Sequence, residues 1–69
     1  MTTATFKSHN KAVRFLTLLT QAGISAKIVS LDSGFVERGC SYGVRFNRKH
    51  IKRAENIGSN AGVMPEKWL

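Results

Sequence analysis

The sequence predicts a small α+β domain in which two helices cover one face of an antiparallel sheet. Its 69 residues form one domain with a thin core: a sheet with helices on one face, or a helix bundle. Two segments carry apolar residues at helical spacing, and short segments between them alternate apolar and polar residues. The alternating segments favour the sheet, and we expect the single domain to span residues 1–69.

The first two elements are a strand and an amphipathic helix. Residues 3–7 alternate, which predicts a strand with Ala4 and Phe6 facing inward. Ser8 is a typical N-cap and Gly23 a typical terminating glycine, so the spacing predicts a helix over about 9–22. The apolar stripe of this helix comprises Ala12, Phe15, Leu16 and Leu19, widened by Val13 and Leu18.

The second half of the chain repeats this pattern after a polar loop. Residues 24–29 form a predicted second strand, residues 30–39 a loop, and residues 41–46 a third strand with alternate residues buried. Asn47 is a candidate cap for a second helix, which ends at Gly62. Its stripe is Ile51, Ala54, Ile57 and Ala61. Pro65 has no N–H to donate, so a last strand over 63–69 must lie at an edge.

The resulting order, βαββαβ, predicts the ferredoxin-like split βαβ arrangement. The first and second strands would run parallel through a right-handed crossover, and the third would lie between them, antiparallel to both. Both helices would cover the same face of the sheet.

This topology brings the single cysteine towards the start of the first helix. The first strand would end where the third begins, so Cys40 is expected near Ser8 and His9. The partial positive charge at a helix N-terminus, or a nearby His or Arg such as Arg38, favours thiolate over thiol. His9 is then a candidate thiol-tuning base. The alternative is that Cys40 is a small buried core residue, because residues two positions apart in a strand share a face and Tyr42 is predicted to face the core.

The chain is strongly basic, with a net charge of +7, and this charge favours anionic partners. A cluster of basic residues spans the end of the third strand and the first turns of the second helix, where the helix dipole disfavours cations. The cluster therefore suggests a site for phosphate or carboxylate, or else a solvated helix face. Its members are Arg45, Arg48, Lys49, Lys52 and Arg53.

Several classes of function are disfavoured by what the sequence lacks. There is no apolar run long enough for a membrane span and no signal-like N-terminus, so we expect a cytoplasmic location without membrane contact. A glycine-rich phosphate loop, a Ser/His/Asp set and an RNP-type RNA-binding motif are missing. We expect no metal or other cofactor, and a carrier or binding domain rather than an enzyme.

Three short stretches resemble the selenium/sulfur carrier protein-like family of small bacterial domains. They are Phe6-Lys7-Ser8, then Ala12-Val13 through Leu19 to Gly23-Ile24, and finally the run Cys40-Ser41-Tyr42-Gly43-Val44-Arg45-Phe46. The resemblance covers residues 5–62. It implies that Cys40 holds sulfur or selenium as a persulfide or selenosulfide and hands it to a protein partner.

Three functional hypotheses follow. The first is a chalcogen carrier that uses the Cys40 thiol. The second is a basic module that binds nucleic acid or an acidic protein through the 45–53 cluster, with Cys40 structural. The third is an interaction domain that uses a sheet edge.

Overall fold

The computed structural model describes residues 1–30 and 42–68. The strands are β1 (Thr2–Phe6), β2 (Ala26–Ser30), β3 (Tyr42–Phe46) and β4 (Lys67–Trp68). The helices are α1 (His9–Gln21) and α2 (Ile51–Ala61), and a 3₁₀ turn at Arg48–His50 precedes α2. The predicted loop over 30–39 lies outside the described residues, apart from Ser30.

The four strands form one sheet in the order β2-β3-β1-β4. β3 runs antiparallel to both β1 and β2, and β4 pairs antiparallel with the other side of β1. Antiparallel pairing of β3 with both neighbours makes β1 and β2 parallel to each other, as the split βαβ arrangement requires. The predicted ferredoxin-like α+β fold is confirmed, and β4 lies at an edge as expected from Pro65.

The core lies between the helices and one face of the sheet, and Phe15 of α1 is at its centre. The Phe15 ring is fully buried and packs against Phe6 with ring centroids 5.3 Å apart. It also makes edge contacts with Phe46 and Trp68 at 6.5 and 6.2 Å. Ala54 of α2 belongs to the same buried cluster. Aromatic pairs in such geometries add about 0.5–1.5 kcal/mol beyond their area burial, so this cluster joins both layers.

Both helices end in the same hydrogen-bonded motif, which needs a left-handed residue. After α1, Gly23 has φ 81°, and the N–H of Ile24 donates to the Leu19 carbonyl at 2.9 Å. After α2, Gly62 has φ 72°, and the N–H of Val63 donates to the Gly58 carbonyl at 2.9 Å. These are Schellman bonds, and the residue after each glycine is buried. The predicted ends of both helices are thereby confirmed.

Strand β1 differs from the prediction of one buried face, because all five of its residues are buried. It begins one residue earlier than predicted and lies between β3 and β4, so both of its edges are covered. Thr5 is completely buried, and its hydroxyl donates to the Lys67 carbonyl at 3.2 Å. The N–H of Glu66 donates to the Thr5 carbonyl at 2.7 Å. A buried hydroxyl is tolerated here because it is hydrogen-bonded.

Other element boundaries also differ from the predictions. β2 starts at Ala26, because Ile24 is used in the turn after α1, and it continues through Ser30. Asn47 caps the 3₁₀ turn and not α2: its Oδ1 accepts from the Lys49 N–H at 3.0 Å. Val13 is exposed and does not widen the buried stripe. β4 has only two residues of the predicted seven.

Gly58 allows α2 to approach the core closely. A Cβ at this position would lie 3.2 Å from Phe15 Cε1, 3.2 Å from Met64 Sδ and 3.4 Å from the Val63 carbonyl. The Met64 side chain can move, but the Phe15 ring is fully buried. The glycine interior to α2, which costs about 1 kcal/mol in helix propensity, is therefore explained by packing.

We predict that Gly58→Leu lowers the free energy of unfolding by at least about 1 kcal/mol, because overpacking outweighs the gain in helix propensity. Ser59→Leu, at the next position but exposed, is the matched control and should stay within about 0.5 kcal/mol of the parent. Urea denaturation of both variants measures the difference. Equal stability of the two variants would contradict the close approach at Gly58.

Candidate functional site

The N-terminus of α1 is built as a positively polarised end. Ser8 adopts an extended conformation, and its Oγ accepts from the Lys11 N–H at 3.4 Å. No acidic residue stands in the first turn. His9 and Asn10, the first two helical residues, are exposed. Free N–H groups at such an end carry a partial positive charge, and nothing acidic in the first turn offsets it.

The start of β3 meets this helix end. Phe6, the last residue of β1, pairs with Tyr42, the first residue of β3. The imidazole of His9 contacts the half-buried Tyr42 ring edge-on, with centroids 5.0 Å apart. The sequence-based expectation that the third strand begins beside the start of the first helix is met at these residues.

Cys40 lies outside the described residues, two positions before Tyr42. Arg38, the basic residue predicted near the thiol, lies outside them as well. The pairing of Cys40 with His9 therefore stays a prediction, as does the alternative that Cys40 belongs to the core.

The basic residues over 45–53 are distributed over different surfaces. Arg45 alternates with the buried Val44 and Phe46, so it lies on the sheet face away from the helices. Arg48, Lys49 and Lys52 are exposed in the 3₁₀ turn and the first turn of α2. These three exposed residues form a basic group that is local in the sequence, over 48–52.

Arg53 has a structural hydrogen bond. Its Nη2 donates to the Ala22 carbonyl at 2.9 Å. Ala22 is the C-cap of α1, where carbonyl groups lack helical partners and attract cations. The guanidinium thus joins the start of α2 to the end of α1.

Two residues of interest were not singled out from the sequence. Strand alternation predicts Tyr42 as a core residue, whereas the contact of its ring with His9 depends on tertiary packing. The position of Lys27 opposite Arg45 depends on the pairing register of β2 and β3. Strand alternation indicates which face a residue occupies, but it does not give its cross-strand neighbour.

In the part of the chain that the structure describes, no helix is both long and apolar enough to cross a membrane. Within the same residues, no three His, Asp or Glu side chains come together as metal ligands.

Comparison with known proteins identifies the family of the chain. A family model described as "Putative Se/S carrier protein-like" matches residues 2–69. Neither the curated proteins nor the solved structures contain a significant match to the chain.

We predict that Arg53→Met lowers the free energy of unfolding by about 0.5–1 kcal/mol, because the Ala22 carbonyl loses its donor at an exposed site. Lys52→Met is the matched control, since Lys52 is the adjacent exposed cation. Urea denaturation compares the two. Equal effects of both substitutions would show that Arg53 acts only through its charge.

Proposed function

Because the chain belongs to the Se/S carrier protein-like family, we propose that it carries sulfur or selenium on the thiol of Cys40. The observation that supports this proposal is the meeting of β3 with the N-terminus of α1. Cys40 comes two positions before Tyr42, the first residue of β3.

Chain length limits how far Cys40 can be from this site. Two residues span at most about 7 Å of extended chain, so the Cα of Cys40 is held within that distance of the Cα of Tyr42. Tyr42 itself contacts His9. We propose that this segment turns the thiol towards the helix end and the imidazole.

These neighbours have the chemistry that a carrier thiol needs. The thiolate is the nucleophile in sulfur exchange, and a helix N-terminus or an adjacent His stabilises it. His9 is the proposed base, because a ring nitrogen of its imidazole can accept the proton of a nearby thiol. Its exposed position leaves it open to solvent and to a bound donor.

The proposed transfer is an exchange that needs no added oxidant. The Cys40 thiolate attacks the terminal sulfur of a donor persulfide, R–S–SH. A bond forms between Cys40 Sγ and that sulfur, the donor S–S bond breaks, and the donor leaves as the thiolate R–S⁻. The proton lost from Cys40 passes through His9 or water to the leaving thiolate. A donor R–S–SeH would deliver selenium by the same steps.

The donor and the acceptor are proposed to be protein partners. A chain of 69 residues with a thin core has little room for a deep substrate pocket, so exchange at a surface thiol is the simpler route. We place the protein in the cytoplasm, where free thiols are kept reduced.

We predict that the alkylation rate of Cys40 in the folded protein reaches half its maximum at a pH below about 8.5, the pKa of a free cysteine. Iodoacetamide labelling followed by intact mass measures this rate as a function of pH. A thiol that is labelled only in denaturant would mean that Cys40 is buried, and would contradict the carrier proposal.

Two histidine variants test the role of His9: His9→Gln removes the proposed base, and His50→Gln is its matched control. His9→Gln should slow alkylation at pH 7 by about threefold to tenfold, because it removes the proposed base beside the thiol. His50 lies at the start of α2, at the opposite end of β3, and its substitution should leave the rate unchanged. Identical rates in both variants would remove His9 from the proposed site.

A further inference from the structure

A pair of cations faces solvent on the side of the sheet that the helices do not cover. Lys27 of β2 is directly opposite Arg45 of β3 in the strand register. Both side chains are exposed. Each alternates with residues that pack into the core, so both lie on the sheet face away from the helices. Like charges placed directly opposite across two strands repel each other and destabilise the pair.

No carboxylate offsets this repulsion among the described residues. The ion pair in that part of the chain joins Lys7 Nζ to Glu66 Oε1 at 3.8 Å. Neither Lys27 nor Arg45 takes part in it. Glu55, the other described acidic residue, is exposed on α2, on the far side of the sheet from these cations. Both side chains are exposed, so an external anion can reach them.

A cavity of about 200 Å³ opens between these side chains. Its lining is Met1, Ser25, Ala26, Lys27, Val29 and Arg45. Aliphatic groups thus adjoin the two charges. Whole small-molecule sites usually measure about 300–1,000 Å³, so this cavity suits a group the size of a side chain and not a cofactor.

We propose that this cavity is a docking site for an acidic, aliphatic segment of a protein partner. The carboxylate of the segment would bridge Lys27 and Arg45, with charge-assisted hydrogen bonds to the planar guanidinium. A neighbouring aliphatic side chain would fill the space beside Val29. Binding would remove the repulsion between the two cations.

The composition of the sheet face away from the helices favours a peptide over a nucleic acid. Proteins that bind single-stranded nucleic acid stack bases on aromatic side chains. The described aromatic residues of the strands lie instead on the face towards the helices. They are Phe6, Tyr42, Phe46 and Trp68.

This site is separate from the N-terminus of α1. Arg45 is three residues from Tyr42 along β3 and on the opposite face of the sheet. A partner docked at Lys27 and Arg45 would therefore leave the N-terminus of α1 uncovered. The proposal does not depend on Cys40, and a Cys40→Ser variant should bind the segment as the parent does.

The test is a titration of the ¹⁵N-labelled full chain, followed by amide chemical shifts. The probe is the blocked peptide acetyl-Leu-Glu-Val-amide, and its control is the same peptide with Gln in place of Glu. We expect the Glu peptide to shift the amides of Lys27, Val29 and Arg45. The Gln peptide should bind about tenfold more weakly, since it lacks the charge.

Matched variants assign the binding to the cation pair. The double variant Lys27→Gln/Arg45→Gln should bind the Glu peptide at least about tenfold more weakly than the parent. Lys49→Gln, which removes one cation from the 3₁₀ turn before α2, should bind it as the parent does. The thermal midpoint of each variant verifies that it is folded.

Three outcomes would overturn the proposal. Equal affinity for the Glu and Gln peptides would exclude a carboxylate site. Equal shifts of the same amides by inorganic phosphate would show a bare anion site without use of the aliphatic wall. Equal binding by sodium 4-methylpentanoate, a free carboxylate on an aliphatic stem, would indicate a small-molecule ligand instead of a partner segment.

Discussion

The antiparallel pairing of β1 with β3 sets where β3 meets α1 and which face of the sheet Arg45 occupies. At one end of the pair, Phe6 is opposite Tyr42, and this places the start of β3 beside the N-terminus of α1. On its other side, β3 pairs with β2, which sets Arg45 opposite Lys27. A shift of one residue in this register would turn Tyr42 and Arg45 to the other face. Core packing therefore controls both proposed surfaces.

That register is held by the aromatic cluster around Phe15. Phe6 and Phe46 lie at opposite ends of the paired strands, and both contact the Phe15 ring. Trp68 adds a contact from the edge strand. α2 reaches the same ring closely because Gly58 has no side chain. In a domain this small, the candidate sites are kept in place by few residues, and loss of this cluster would affect the fold and the sites together.

The fold could be predicted from local signals, whereas the site could be predicted only in part. Three patterns of neighbouring residues predict elements that the structure contains: the alternation in β3, the apolar stripe of α1 and the two terminating glycines. Contacts between distant residues were not foreseen. Arg53 bonds to Ala22, and Lys27 stands opposite Arg45, through tertiary packing and register that no local pattern encodes. Burial of Thr5 depends likewise on β4, an element too short for periodicity to define.

The carrier proposal is tested most directly by chalcogen transfer to the folded protein. The protein is incubated with a small-molecule persulfide and analysed by intact mass, with Cys40→Ser as the control. The account predicts an adduct of one sulfur atom on the parent, none on the variant, and loss of that sulfur to an added acceptor thiol. Failure of the native parent to form the adduct, with formation after denaturation, would contradict a carrier role for Cys40.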